Sequence, residues 1–440
     1  MLPIKRAILT LLLSLCVTVT AADLGDDIRK DYDAHLGALF EHFHRNPELS
    51  TLETKTAARL AKELGDAGFD VTEGVGGTGI VAIMENGKGP TVMMRADMDG
   101  LPVPEMSGLE YASKARQVDW NGNEMPVMHA CGHDVHITSL VGTARRMADR
   151  RDEWSGRLML IGQPAEEAFG GARIMMKDNL WQRFGQPDYA MAFHVSAQTP
   201  TGKLEAVVGS PYSGVDSVDI LIHGIGGHGA SPHTTVDPVV LGSQIVVALQ
   251  TVVSRNLPPR EPGVITVGSF HSGTKHNIIS DEARLQVTVR NESLQTRKLL
   301  LEGIKRVAIN LGRAAGLPED KLPEVTVREG DNYPPTLNDV DLTRRLRGVW
   351  TAALGDDILV EKKRLGMGAE DFPFFTTDPY IPSTYFVVGG TPQSAFDIAA
   401  AGGPAVASHH SPIFKIEPEA SVRLGVESTV LALMDLLPVQ

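Results

Sequence analysis

The sequence is short of cysteine, of positive charge and of long apolar runs, and each shortage removes a class of protein. Only Cys16 and Cys131 occur in 440 residues, too few for a small disulfide-framed fold. Acidic residues outnumber basic ones, 54 to 41, for a formal net charge of -13. That balance argues against nucleic acid or an anionic membrane surface as partner, since both repel it. The apolar run Ala7 to Val19 is short for a membrane span, and no later stretch reads as both long enough and sufficiently free of charge. His-Glu-x-x-His, Gly-x-Ser-x-Gly and Gly-Lys-Ser/Thr signatures are missing, so the zinc-protease helix, the serine-hydrolase elbow and the phosphate-cradling loop have no support.

The length predicts two or three domains, and 42% hydrophobic with 22% charged residues is ordinary for a chain with a real core. Lys5 and Arg6 precede the first apolar run, and small residues follow at Thr20, Ala21 and Ala22. This reads as a cleaved export signal over 1–22, with the mature protein periplasmic or secreted. Cys16 suggests a lipid anchor, but Leu15 is a poor fit to the small residue usually found before a lipidated cysteine. Without the leader Cys131 is the sole cysteine, an unpaired thiol in an oxidising setting unless metal or burial protects it.

The densest stretch is Met128-His129-Ala130-Cys131-Gly132-His133-Asp134-Val135-His136, one thiol, three imidazoles and a carboxylate in nine residues. Buried cysteine or a structural histidine explains one such residue, but it explains five in a row poorly. On a turn Cys131 and His133 reach one ion, and thiolate with imidazole suits zinc-like metals. A helix over Ile137–Arg150 seats both on the loop at its N-terminus, where the dipole favours a thiolate. Buried-strand runs over 79–84, 91–94, 157–162 and 189–193 alternate with helical segments. Three of them deliver polar residues at their ends: Asp97 and Asp99, Glu166 and Glu167, and His194. This predicts an α/β domain whose mostly parallel sheet brings ligands to one edge. Asp97 alone reads equally well as a turn-capping aspartate.

From about Asp216 the pattern changes: Val218–His223 alternates loosely at period two and Ala283–Arg290 more cleanly, beside helical stretches near 238–254 and 294–311. This predicts a smaller α+β domain over 212–326, inserted into a first domain formed by 23–211 and 327–440. Within it Gly224-Ile225-Gly226-Gly227-His228-Gly229 spells a dinucleotide fingerprint, but no helix opens directly after it. The segment reads instead as a close-approach glycine loop carrying His228 and His233. Ala407-Ser408-His409-His410-Ser411-Pro412 adds two imidazoles near the C-terminus. Cys131, His133, Glu167, His194 and one of His409 or His410 then make five metal-capable groups. Five ligands, one of them bridging, fit two ions better than one. Such a pair acidifies a shared water and polarises a carbonyl, as amide hydrolysis requires, and leaves Glu166 free as general base. A Cys131–His133 nucleophilic pair would leave both glutamates idle.

His129 to His136, Gln163-Pro164-Ala165-Glu166-Glu167, His44-Arg45-Asn46-Pro47-Glu48-Leu49-Ser50 and Ala96-Asp97-Met98-Asp99-Gly100-Leu101-Pro102 resemble the amidohydrolase branch of the dinuclear-metal aminoacylase and carboxypeptidase family, which includes hippurate hydrolase and the auxin-conjugate hydrolases. The resemblance spans the mature chain. It implies a two-metal catalytic domain, with an inserted lid that also makes a homodimer contact. It implies two divalent ions, Zn or Mn before Co or Ni, held by Cys131, His133, Glu167, His194 and His410, the last chosen for its place before Ser-Pro. Glu166 is then the base and His228 stabilises the oxyanion. Asn277 contacts substrate, and Arg290 is a candidate for the product carboxylate or simply a solvated strand-end arginine. The implied reaction is cleavage of N-acyl amino acids, with short-peptide carboxypeptidase activity or non-catalytic binding as alternatives. Ala168 and Phe169 depart from the small residues usual after Glu167, which implies a bulkier pocket wall.

Overall fold

The computed structural model describes residues 21–168, 170–362 and 366–439. The predicted leader up to residue 20 and Phe169 lie outside them. A seven-stranded sheet forms the larger unit, in the order Asp70–Val75, Gly79–Asn86, Gly156–Gln163, Thr91–Asp97, Tyr189–Pro200, Ser383–Thr391, Leu204–Glu205. Its four central strands run parallel and the strands outside them antiparallel. The central strands are buried almost throughout, which is why they read as continuous apolar runs without alternation. Helices Thr54–Asp66, His133–Asp149 and Pro418–Leu436 pack on one face, burying Leu60, Leu140, Val141 and Val426 against Leu158, Leu160 and Phe193. The other face is covered by Gly171–Lys177 and neighbouring segments around Met175, Trp181, Phe372 and Phe375.

The smaller sheet is antiparallel, in the order Gly263–Ser272, Glu282–Asn291, Gly214–His223, Glu324–Tyr333. Strand Gly214–His223 alternates strictly between buried and half-buried positions, the mark of a sheet with one face packed. Helices Pro238–Thr251 and Leu294–Ala314 cover that face through Leu241, Ile245, Leu249, Leu300 and Ile304. The boundary expected at 326 falls inside the last strand of this sheet, which continues to Tyr333. The chain crosses between the units on a short ribbon in which Gly209–Tyr212 pairs with Thr336–Asn338.

Two further expectations need correction. The helix predicted from Ile137 begins at His133, so His133 occupies its first turn and only Cys131 remains on the loop. Among the described residues one helix, Pro238–Asn256, is long and apolar enough by length and composition to cross a membrane, contrary to the expectation that no later segment qualifies. Its sole charge is Arg255 near the end, and its apolarity has a local cause, since one face forms the core of the smaller unit.

Candidate metal centre

The parallel strands converge on one edge with their polar C-terminal ends, the position where open α/β sheets place their sites. Asp97 ends one strand, Gln163 leads into Ala165-Glu166-Glu167 after the next, and His194 lies within the third. Cys131 reaches the same place from the turn before the long helix and His133 from the helix's first residue, the two separated by Gly132 at φ 90. Only glycine takes that backbone angle without strain. Ala165 at φ 51 and His410 at φ 64 are non-glycine residues in the same region of backbone space, strain that the surrounding packing must hold in place.

Ligand atoms of Cys131, His133 and His194 lie within 4.8 Å of one another, and so do those of Cys131, Glu167 and His410. Cys131 Sγ is 3.4 Å from His194 Nε2. Glu167 Oε1 is 3.1 Å from His410 Nε2 and 3.9 Å from His133 Nε2. The tautomers suit ligation. His133 Nδ1 donates to the Asp99 carbonyl at 2.9 Å and His194 Nδ1 to the Val195 carbonyl at 2.6 Å, which leaves both Nε2 lone pairs turned inward. His133 Nε2 and Glu167 Oε1 are buried with no hydrogen-bond partner, a costly arrangement unless a cation sits between them. These residues fit a pair of metal ions. His409 turns elsewhere: its Nε2 accepts the Ala197 N–H at 3.1 Å.

Electrostatics point the same way. Burial, then the Glu167 and Glu166 charges, push the Cys131 thiol well above its usual range. This reverses the thiolate expected from the helix dipole: among carboxylates the sulfur keeps its proton until a cation displaces it. Burial, followed by Glu370 and Glu167, likewise pushes the Glu166 carboxyl well up. Ligand atoms of Glu166, His133 and Glu167 cluster within 4.8 Å, as do those of Glu166, Glu370 and Asp371.

Several residues around the centre carry more than the sequence reading assigned them. Asp99 accepts the backbone N–H groups of Glu166 (3.2 Å) and Glu167 (3.0 Å), the Ser50 hydroxyl (2.6 Å) and His133 Nδ1 at 3.2 Å. One carboxylate thus orients a ring ligand and the turn carrying both glutamates. Asp97 is no turn cap: it is fully buried, paired with Arg95 and with His136 Nδ1. Arg95 also reaches Glu370 at 2.8 Å and Asp371 at 3.2 Å, so a buried cation balances part of the acidic cluster. Arginine inside an apolar strand run was the available signal for this network.

The inserted unit contributes differently. His228 and Asn277 are exposed on a two-stranded loop, where Gly227 and His228 pair with Ile279 and Ile278. Arg290 is half-buried in the smaller sheet. None of these three lines the cavity, about 930 Å³, that contains Cys131, Glu166, Glu167, His194 and His410. Within one chain they are not brought to the centre.

A parallel sheet feeding thiol, imidazole and carboxylate ligands to one edge, next to an inserted α+β unit, defines a metal-binding amide hydrolase. Residues 93–407 match the profile of peptidase family M20/M25/M40, and the chain belongs to that family, in its amidohydrolase branch. It is similar to thermostable carboxypeptidase 2 of Saccharolobus solfataricus, 36% identical over 79% of this chain and 83% of that protein. It is also similar to hippurate hydrolase of Campylobacter jejuni, 34% identical over 78% and 86%. Among solved structures, Bacillus subtilis YXEP, described as a dinuclear metal binding peptidase from the M20 family, superposes with TM-score 0.75 and 25% identity, covering 93% of this chain and 99% of that one.

Proposed function

We propose that this protein is an exported hydrolase that splits N-acyl amino acids into an acid and an amino acid, using two divalent ions, zinc or manganese. The observation that carries the reading is the convergence of Cys131, His133, Glu167, His194 and His410, two of whose ligand atoms are buried without a hydrogen bond, with Glu166 alongside. Those five residues would hold the ions, which supply Lewis acidity and acidify a water. Glu166 takes the proton from that water and later delivers it to the leaving nitrogen. Asp99 keeps His133 and the Glu166–Glu167 turn in register. His228, outside the cavity of its own chain, would act as oxyanion stabiliser across a dimer contact, with Asn277 and Arg290 on substrate. Helix Pro238–Thr251 supports such a contact: Val239, Val240 and Val247 are 43%, 54% and 70% exposed and line an apolar groove. A monomer by light scattering at assay concentration would remove the dimer from this reading. Lys5, Arg6 and the apolar run after them support export.

The similarity to a carboxypeptidase favours a second reading, release of C-terminal residues from short peptides by the same chemistry. Chelated protein is assayed on hippurate, acetyl-methionine and dipeptides before and after addition of zinc or manganese, with Glu166→Gln alongside. Activity on the conjugates that returns with metal, and falls roughly 10²–10⁴-fold in the variant, is expected. Turnover of dipeptides alone selects the second reading. No turnover with metal bound refutes both.

A further inference from the structure

The turn Ala165-Glu166-Glu167 carries the proposed base and a proposed metal ligand, and its first residue sits in the left-handed backbone region at φ 51. Among the described residues only four non-glycine positions have positive φ, and one side chain bonds two of them. Glu53 Oε1 accepts the backbone N–H of Thr51 (φ 65) at 2.7 Å and that of Ala165 at 2.9 Å. Its Oε2 accepts the Thr78 hydroxyl at 2.6 Å, and the whole residue is buried. Glu53 stands immediately before helix Thr54–Asp66, yet its side chain makes no capping bond there. Glu48 fills that role, accepting the N–H groups of Lys55 at 2.8 Å and Thr56 at 2.7 Å. The Glu53 carboxylate instead reaches a partner 112 positions away in the chain. From the other side of Ala165, the Gly171 N–H donates to its carbonyl at 3.0 Å. Since Asp99 accepts from Glu166 and Glu167, three consecutive N–H groups of the turn end on two buried carboxylates.

We propose that Glu53 is a positioning residue for the metal centre: its carboxylate holds Ala165 in the strained conformation that aims Glu166 and Glu167 inward. This rests on the reading of Glu167 as a ligand and Glu166 as the base. A residue with a Cβ keeps a left-handed backbone only where its surroundings over-determine it. Without Glu53 the buried Ala165 N–H loses its acceptor, and relaxation of φ at that residue swings the two that follow. The two carboxylates divide the task. Asp99 fixes the amides of Glu166 and Glu167 beside His133, while Glu53 fixes the angle by which the chain arrives there. All three Glu53 partners are donors, so what the geometry requires at this position is an oxygen acceptor for two N–H groups, a requirement that an amide oxygen also meets.

The test reads zinc affinity by calorimetry on chelated protein, and kcat on whichever of hippurate, acetyl-methionine and a dipeptide the wild type cleaves. Glu53→Ala should weaken zinc binding and lower kcat, each by roughly 10- to 100-fold. Glu53→Gln should stay within about threefold of wild type, its carbonyl oxygen accepting both N–H groups and its NH2 donating to Thr78. Ala165→Gly added to Glu53→Ala should recover about tenfold of the loss, because glycine adopts φ 51 without strain. Thr51→Gly in the same background should recover none, because Thr51 carries neither glutamate. Wild-type zinc affinity in Glu53→Ala, Glu53→Gln as weak as Glu53→Ala, or equal recovery from the two glycines overturns the proposal. If Glu53→Ala does not fold, Glu53→Met fills the space without an oxygen acceptor and takes its place. Should neither fold, Glu53→Gln decides, and a loss of about tenfold in its zinc affinity overturns the proposal. A wild type that cleaves nothing refutes the hydrolase reading instead, and the zinc series still decides the role of Glu53.

Discussion

Gly132 separates two ligand candidates and is a position where one added methyl should do harm to folding and metal site together. Its φ of 90 costs a non-glycine residue roughly 1–3 kcal/mol. A Cβ there would also lie 2.4 Å from Val195 Cγ1. Val195 is fully buried, so the overlap can be relieved only by backbone or core movement, for roughly another 1–3 kcal/mol. The sum for Gly132→Ala is roughly 2–6 kcal/mol. Gly122 supplies the control, with φ 82 and nothing within 4 Å of its added Cβ, so Gly122→Ala should show the backbone contribution alone. Denaturant unfolding in chelator measures folding without metal linkage, and elemental analysis of purified protein measures metal content. Gly132→Ala should be clearly less stable than Gly122→Ala and carry less than the full complement of metal, because Cys131 and His133 turn on this residue. Equal losses in the two variants, or full metal content in Gly132→Ala, would refute the reasoning.

Asp99→Ala removes the carboxylate that orients His133 and both glutamates, and metal affinity should fall roughly 10- to 100-fold; isothermal titration with zinc checks this, and an unchanged Kd would show the turn holds itself. His44 gives a pH dependence. Burial lowers its pKa, but Asp134 at 2.6 Å and Glu105 at 3.1 Å outweigh burial and raise it to about 9. A folded pKa above the unfolded value of about 6.5 means this stabilisation is complete below about pH 6.5 and is lost as pH rises toward 9. Wild type should therefore lose stability relative to His44→Gln over that window, by roughly 3 kcal/mol in all; parallel stability curves from pH 6 to 9.5 would show that His44 is not charged.

The run His129 to His136 and the Glu166–Glu167 pair are legible in one dimension because ligands that share a turn must be neighbours in the chain. The α/β character and the inserted unit were legible too, since buried parallel strands and half-exposed antiparallel ones leave different apolar periods. Choosing between His409 and His410 by spacing was an argument from their neighbours. The fold distinguishes them by direction, because the backbone at 410 turns that ring to Glu167 while the Ala197 N–H occupies its neighbour. Arg95, Asp97, Glu370 and Asp371 form one buried charge network from segments far apart in sequence, and no local pattern could pair them. Chemistry carried by adjacent residues was therefore written in the sequence by itself. Convergence, and the burial that leaves His133 Nε2 and Glu167 Oε1 without a hydrogen bond, came only with tertiary structure, because pairing and desolvation belong to the space around a residue and not to its place in the chain.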